Sequence, residues 1–493
     1  MRLDTLLRAV PEAHVVGDTQ LEIADIAYDS RAVRPGSCFV AVPSVGAGPK
    51  SGGHEFIDAA VRQGAVAVVA TEGEVDIPGV TTIRTLDARS ALADLADAFF
   101  DHPSRELKVF AITGTDGKTT TTYLLDAIFS AAGKQAGLLG TIETKVGLQH
   151  LPNVDRMTTP ESLDLQRTLR LMADSGVTHV ALEASSHALV LQRLRACHFE
   201  ACALTNITGD HVEFHGSWDA YVEAKSRLFT KVAPLAPAIL NRDDDSFERF
   251  SSLTHDRVIS YSRQTHADLM ACHIEASKGG CTFQLDWKDQ RVPVRLRLPG
   301  PFNVSNALAA AGLALAVDIP LIDVADGLSG AVSPPGRMER VNCGQPFDVI
   351  VDYGHTPNAF RAVLATLRQT TAGRLIAVFG ATGNRDRQKR PVLAGIARQY
   401  ADFFIITNED PFEEDVESII SEVAAGVPAS EEGTQFVRVP DRAEAIRLAI
   451  QRANPGDAVV ILGKGHETSI VTHGRKLSWS DTSTVQAMLE EQR

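Results

Sequence analysis

Ala111-Ile112-Thr113-Gly114-Thr115-Asp116-Gly117-Lys118-Thr119-Thr120 places two glycines, a lysine and two threonines directly behind an apolar run. The run, 109–112, reads as a buried strand, and 119–131 reads as a helix with Leu124, Leu125, Ile128 and Phe129 on its inner face. Strand, glycine loop, Lys-Thr and helix is the layout that cradles nucleotide phosphates. Glycines let backbone N–H groups approach the anion, and the helix N-terminus adds partial positive charge. In that layout Gly114, Thr115, Asp116 and Gly117 form the cradle, Lys118 reaches the outer phosphates, and Thr119 or Thr120 holds magnesium. The two glycines are closer together than in the common G-x-x-x-x-G-K-[ST] pattern. The loop points to ATP and leaves open what the ATP is for.

Composition bounds the rest. A chain of 493 residues predicts about three domains. Its 44% hydrophobic content is ordinary for a globular protein. No apolar run approaches the ~20 residues that span a bilayer, and the opening Met1-Arg2-Leu3-Asp4 is too charged for a secretory signal. Cys38, Cys197, Cys202, Cys272, Cys281 and Cys343 are scattered, with no C-x-x-C pair. They fit buried thiols in a reducing cytosol better than disulfides or a zinc site, so a cytoplasmic location is expected. A formal net charge of −14 works against a nonspecific grip on nucleic acid.

Residues 1 to about 105 read as a small α/β unit, with strands at 38–42 and 65–70, an amphipathic segment at 54–62, a Gly/Ser/Pro-rich loop at 43–53 and a linker at 101–104. From 106 to 335, apolar strands such as 178–182 and 202–205 alternate with helical segments, which argues for a parallel, doubly wound sheet. Ser333-Pro334-Pro335-Gly336 marks the next boundary. From 336 to 493 the rhythm restarts with strands at 349–351, 375–379, 403–407 and 458–462. Each is followed by a polar loop: 352–357, 380–386, 408–412 and 463–467. Ligands bind outside the carboxyl ends of such strands, so these loops predict a second substrate-binding domain.

Glu183 stands at the tip of a strand beside the glycine loop, where a nucleotide-bound magnesium takes a hard oxygen ligand. The loop Thr205-Asn206-Ile207-Thr208-Gly209-Asp210-His211-Val212-Glu213-Phe214-His215-Gly216 crowds two acids and two histidines together, which favours metal or substrate contact. Its spacing matches no common zinc pattern. Lys225, in a helical stretch, reads from periodicity alone as a solvated lysine.

Together with Glu183-Ala184-Ser185-Ser186-His187 and Tyr221-Val222-Glu223-Ala224-Lys225, these stretches resemble the Mur ligase family, most closely the MurE type. That type adds the third amino acid to UDP-N-acetylmuramoyl-L-alanyl-D-glutamate. The resemblance runs through the whole chain, from Tyr28-Asp29-Ser30-Arg31 to Phe302-Asn303-Val304, Gly336-Arg337-Met338-Glu339, Asp352-Tyr353-Gly354-His355, Lys389-Arg390-Pro391 and Gly463-Lys464-Gly465-His466-Glu467. It implies a small α/β N-terminal domain (1–105) for the UDP-sugar, a central P-loop-type doubly wound ATPase domain (106–335) and a C-terminal Rossmann-like α/β domain (336–493) for the amino acid.

The resemblance also implies roles. Thr119, Glu183, His211 and a carbamylated Lys225 would hold two magnesium ions. Asn303, Arg337 and Asp352 would contact the nucleotide. Tyr28 and Ser30 would touch the uridine, and Thr158, Thr159, Ser186 and Arg193 the sugar-peptide. Arg390, Glu409, Asp410, Gly463 and Glu467 would bind the incoming amino acid. The implied partners are UDP-N-acetylmuramoyl-dipeptide and a small diamino acid, handled by a monomer. One departure bears on the third substrate. Relatives that use meso-diaminopimelate carry Asp-Asn-Pro-Arg, and the aligned residues here are Glu409-Asp410-Pro411-Phe412. Phenylalanine cannot pair with a carboxylate, and the acids Glu413, Glu414 and Asp415 that follow predict a lining for a side-chain ammonium, as in L-lysine or L-ornithine.

Overall fold

The computed structural model describes residues 1–44, 52–71, 77–153, 156–209, 212–254 and 257–491. Three main sheets follow one another along the chain. The first has the spatial order His14–Val16, Thr81–Thr85, Ala65–Thr71, Ser37–Val40, Asp25–Ala27, parallel except for its first strand. Helix Ala88–Phe99 packs its buried Leu92, Leu95 and Ala96 against it. Most of the expected loop at 43–53 lies outside the described residues. The expected linker at 101–104 is more structured than a linker: Asp101 and His102 turn the chain with left-handed φ of 58° and 52°, and Pro103–Glu106 is a short helix.

The central sheet has eleven strands among the described residues. Its parallel part runs Leu269–Ser277, Val258–Ser262, Ala238–Asn241, Ala201–Leu204, Lys108–Thr113, His179–Glu183, Ala136–Leu139. This is the expected doubly wound core, with Lys108–Thr113 in its middle. Antiparallel extensions flank it: Gly280–Trp287 and Gln290–Leu296 on one side, Glu143–Val146 and Gln149–Pro152 on the other. The sequence reading passed over these because they lack buried apolar runs; all of Gln149–Pro152 is exposed.

Helix Lys118–Ala131 buries Leu124, Leu125, Ile128 and Phe129 against the sheet and against helices Pro301–Leu315 and Leu321–Gly330. The close approach depends on Gly327, where a Cβ would overlap the backbone of Ile128. The third sheet runs Glu339–Arg340, Asp348–Asp352, Ala458–Leu462, Leu375–Phe379, Phe403–Ile406, Phe436–Arg438, parallel after its first strand. Its carboxyl-end loops face the central sheet. Among the described residues no helix is long and apolar enough to cross a membrane.

Candidate active site

The glycine loop leaves the central strand Lys108–Thr113 and enters helix Lys118–Ala131 through Gly117, at a left-handed φ of 88°. A Cβ on Gly117 would overlap Asn306 Oδ1, so the turn needs glycine for both conformation and space. Lys118 Nζ folds back onto the carbonyl oxygens of Gly114 and Thr115, each at 2.9 Å.

Glu183 is fully buried at the end of the adjacent strand His179–Glu183. Thr119 Oγ1 donates to its Oε2 at 3.0 Å, the Thr141 N–H donates to Oε1 at 2.9 Å, and Thr141 Oγ1 lies 2.9 Å from Oε2. Glu183 and Thr119 therefore present two hard oxygens beside the loop. Magnesium favours one or two protein oxygens supplemented by phosphate oxygens and water, so these two fit it. Asp210 and His211 lie outside the described residues. Among those described, no group of three or more His, Cys, Asp or Glu side chains could hold a metal.

Ser217 caps helix Trp218–Arg227, which carries Lys225 inward. Lys225 is only 2% exposed, so it is not the solvated lysine that periodicity alone predicts. Its Nζ donates to Gly114 O at 2.7 Å and sits 4.7 Å over the Tyr221 ring. The amine groups of Lys118 and Lys225 thus converge on one carbonyl oxygen. Anionic phosphate, or conversion of Lys225 to a carbamate, would relieve that concentration of positive charge.

The last domain closes over the loop. Arg337 donates to Thr119 Oγ1 at 3.2 Å while its guanidinium lies 4.4 Å over the Tyr353 ring. Thr356 Oγ1 donates to Asp116 Oδ1 at 3.2 Å. Asp352 accepts from the N–H groups of Met338 (2.7 Å) and Gly354 (2.6 Å), and burial pushes its carboxyl above the ordinary range. Asn303 is buried, held to Pro299 O at 2.7 Å, and accepts from Asn306 at 3.1 Å. The chain enters this domain at Gly336, at a φ of 64°; a Cβ there would overlap the backbone of Gly465 and His466.

A cavity of about 750 Å³ lies between the two domains. It brings together Thr115, Asp116, Gly117, Lys118, Thr119, Thr120, Thr158, Glu183, Ser186, Arg193, Lys225, Asn303, Arg337 and Asp352. Gly114 and Thr159 back this wall: Thr159 Oγ1 donates to Glu183 O at 2.7 Å and Arg193 donates to Thr159 O at 3.0 Å. Ser186 Oγ lies 3.0 Å from His215 Nε2. Tyr28 and Ser30 do not line the cavity. Tyr28 O–H donates to Asp164 Oδ2 at 2.6 Å, joining the first domain to helix Ser162–Asp174, and Ser30 is buried in the turn after it.

Of the residues assigned to the incoming amino acid, Glu409, Asp410, Gly463 and Glu467 form a second cluster that does not line the cavity and is joined to its wall through Arg156. Lys464 Nζ bridges Asp410 Oδ2 (2.8 Å) and Glu467 Oε2 (2.5 Å). Burial raises the Glu467 carboxyl, against the pull of Lys464. Thr382 Oγ1 donates to Glu409 Oε1 at 2.6 Å, and Gly463 leaves room that a Cβ would take from the Glu409 carboxylate. Arg390 sits apart from the cavity. It is fully buried and held by Glu414 (2.8 and 2.9 Å) and Glu422 (2.8 Å), which pulls the Glu414 carboxyl down to about 2. This corrects the expected acidic lining after Phe412. Glu414 is taken up by Arg390, Asp415 caps helix Val416–Ala424 through the Ser418 N–H, and Glu413 is exposed near His473.

Five residues escaped the sequence reading. Thr141 follows a strand as Gly140-Thr141, and a Cβ on Gly140 would strike the Glu183 carboxylate; the glycine was the available signal. Lys464 lies between Gly463 and Gly465 in the loop that ends at Glu467. Arg156 donates to Asp410 Oδ2 at 3.1 Å and to Ser469 Oγ at 2.6 Å, and pairs with Glu467 at 3.6 Å. Arg442 and Asp481 form a buried two-pronged pair (2.7 and 2.8 Å) in which Arg442 also donates to Asn408 O and Leu462 O, each at 3.0 Å. It thereby ties the loop bearing Glu409 and Asp410 to the loop bearing Gly463 and Glu467. Nothing local marks these arginines in the sequence.

Comparison with known proteins fits this architecture. Residues 112–314 match the Mur ligase middle domain, and residues 336–465 match the family described as Mur ligase, glutamate ligase domain. A UDP-N-acetylmuramyl-tripeptide synthetase from Roseiflexus sp. is 40% identical over 512 residues, covering 100% of this chain and 99% of that protein. A UDP-N-acetylmuramoyl-L-alanyl-D-glutamate--2,6-diaminopimelate ligase from Geobacillus thermodenitrificans is 40% identical over 500 residues, covering 100% of both. A solved structure of a ligase of the latter name superposes with a TM-score of 0.69 at 31% identity, covering 99% of each chain. With identity sustained from end to end, the chain belongs to the Mur ligase family.

Proposed function

We infer that the chain is an ATP-dependent amide ligase that adds the third amino acid to UDP-N-acetylmuramoyl-L-alanyl-D-glutamate in peptidoglycan precursor synthesis, and that this amino acid is L-lysine or L-ornithine. The observation that carries the reaction class is the cavity between the central and last domains. Its walls hold a phosphate loop (Lys118), a magnesium-type carboxylate (Glu183) and an acceptor side (Thr158, Arg193), with the last domain (Arg337, Asp352) closed over them. In this reading residues 1–105 hold the uridine nucleotide, 106–335 the ATP and 336–493 the amino acid, and the chain works as a monomer in the cytoplasm.

A carboxylate is a poor electrophile. Transfer of the γ-phosphoryl group from ATP makes the D-glutamyl side-chain carboxylate an acyl phosphate and leaves ADP. The neutral amine of the amino acid attacks the acyl carbon, and the C–O bond to phosphate breaks. The amine's proton passes to the departing phosphate or a carboxylate as the amide forms. Lys118 and the first N–H groups of helix Lys118–Ala131 hold the phosphates. Glu183, Thr119 and, once carbamylated, Lys225 would hold magnesium, with His211 as the further ligand that the resemblance implies. Magnesium supplies charge neutralisation on the transferring group. Closure of Arg337 and Thr356 onto the loop keeps water from the acyl phosphate.

Phe412 supports the choice of amino acid, because it offers no cation to a distal carboxylate at the motif's fourth position. A second reading, meso-diaminopimelate, is favoured by the relatives whose names specify 2,6-diaminopimelate. Phosphate release measured with UDP-muramoyl-dipeptide, ATP and each of L-lysine, L-ornithine and meso-diaminopimelate tests both. Preference for the last overturns the L-lysine/L-ornithine reading, and no release with any of them overturns the ligase reading.

A further inference from the structure

Asp116 puts a carboxylate into the wall of a loop whose other features receive anions. It stands two residues before Lys118 and lines the cavity. Backbone N–H groups, a helix N-terminus and the Lys118 amine all favour phosphate there. A carboxylate beside them repels the same phosphates, and the phosphate-loop pattern does not call for one at this place.

The carboxylate is fixed in position. The Asn206 side chain brackets the Asp116 backbone: its Oδ1 accepts from the Asp116 N–H at 3.0 Å, and its Nδ2 donates to Asp116 O at 3.1 Å. Thr205 Oγ1 donates to the same carbonyl at 2.6 Å. The carboxylate accepts from Thr208 Oγ1 at 3.3 Å and from Thr356 Oγ1 at 3.2 Å. One hydroxyl belongs to the central domain and the other to the last. Thr356 is buried and also caps helix Pro357–Thr370 through the Ala359 N–H. Hydroxyls steady a carboxylate without cancelling its charge. That charge is felt inside the cavity: burial raises the Asp352 carboxyl, Arg337 opposes the rise, and Asp116 adds to it.

A nucleotide brings several negative charges, and bound magnesium offsets part of them. An anion held beside the phosphates therefore penalises metal-free nucleotide more than the magnesium-bound form. We propose that Asp116 is a specificity-determining residue that makes the loop reject metal-free nucleotide and accept the magnesium-bound one. The proposal rests on the nucleotide site of the ligase reading above, and it needs no direct bond from Asp116 to the metal. Its consequence is that metal-free ATP, which lacks the charge neutralisation that phosphoryl transfer needs, does not occupy the site as a dead-end competitor.

The test is equilibrium binding of ADP to the full-length protein, read by calorimetry in magnesium chloride and in EDTA. Ionic strength is matched between the two, because salt screens the charges at issue. Wild type is compared with Asp116→Asn and Asp116→Ser, which remove the charge and keep an acceptor, and with Asp116→Glu, which keeps the charge. Both neutral variants should bind ADP in EDTA roughly 10-fold more tightly than wild type, with Kd in magnesium changed by less than about 3-fold. The magnesium preference narrows accordingly. Asp116→Glu should keep that preference. Absence of a gain in EDTA in both neutral variants overturns the proposal, and so does equal binding by wild type in the two media. A preference that narrows only through weaker binding in magnesium also overturns it, since that marks a direct metal ligand or a distorted loop. Wild type that binds ADP in neither medium is a different result, and overturns the nucleotide site on which the proposal stands.

Discussion

The Thr119 hydroxyl and the Glu183 carboxylate meet at 3.0 Å, although 64 residues separate them. The contact exists because the strands ending at Thr113 and Glu183 are parallel neighbours, paired through Ile112 and Glu183. Their carboxyl ends therefore open at the same level. Glu183→Gln keeps the shape and removes the anion. We expect kcat to fall by at least roughly 100-fold, and the magnesium concentration for half-maximal rate to rise. Titrating magnesium chloride against phosphate release measures both.

The Arg442–Asp481 pair is sealed from solvent on both sides, with relative exposures of 1% and 0%. Removing one partner of such a pair strands the other charge in the interior, at a cost of about 3–5 kcal/mol. Arg442→Met should therefore destabilise the last domain by that amount in denaturant unfolding. Trp479→Phe removes only the indole hydrogen bond to Asp481 and should cost about 1 kcal/mol.

Burial, together with the nearby Arg337, Arg156 and Lys464, pushes the His466 imidazole down to about 3. Free histidine titrates near 6.5. Between those values the unfolded chain binds a proton that the folded chain refuses, so stability falls as pH drops from about 6.5 toward 3. By pH 5 the loss is about 2 kcal/mol. His466→Gln should show a smaller drop in unfolding free energy between pH 7 and pH 5, by about that amount.

Phe412 occupies a left-handed conformation, φ 50°. Arginine bears the same backbone strain there as phenylalanine, so Phe412→Arg changes the chemistry with little change in backbone cost. If a missing cation sets the amino-acid choice, the variant should raise kcat/KM for meso-diaminopimelate relative to L-lysine by roughly 10-fold or more. Competition between the two acids in one assay measures the ratio.

The glycine loop was legible because its signals are local: strand, Gly114, Gly117 and helix are contiguous, and the structure places them as read. The carboxylate facing it was legible because a strand ends in Glu183 just where the apolar run stops. Arg390 was harder to read. Its partners Glu414 and Glu422 lie 24 and 32 residues downstream, and a sequence does not announce which acid claims which arginine. The same holds for Glu414 and Asp415, whose negative charge looked available until a helix cap and an ion pair accounted for it. Arg156 reaches the last domain across 254 residues of chain, so only the fold reveals its partners.

Gly336 has no clearance. Its N–H is held by Glu339, its carbonyl by the Tyr353 N–H, and the backbone of Gly465 and His466 fills the place a side chain would take. The elbow through which the chain enters its last domain is thus packed against the shelf that carries Lys464 and Glu467. Any side chain at the elbow would have to displace that shelf, so the join between the domains and the seat of Lys464 and Glu467 are cut from one piece.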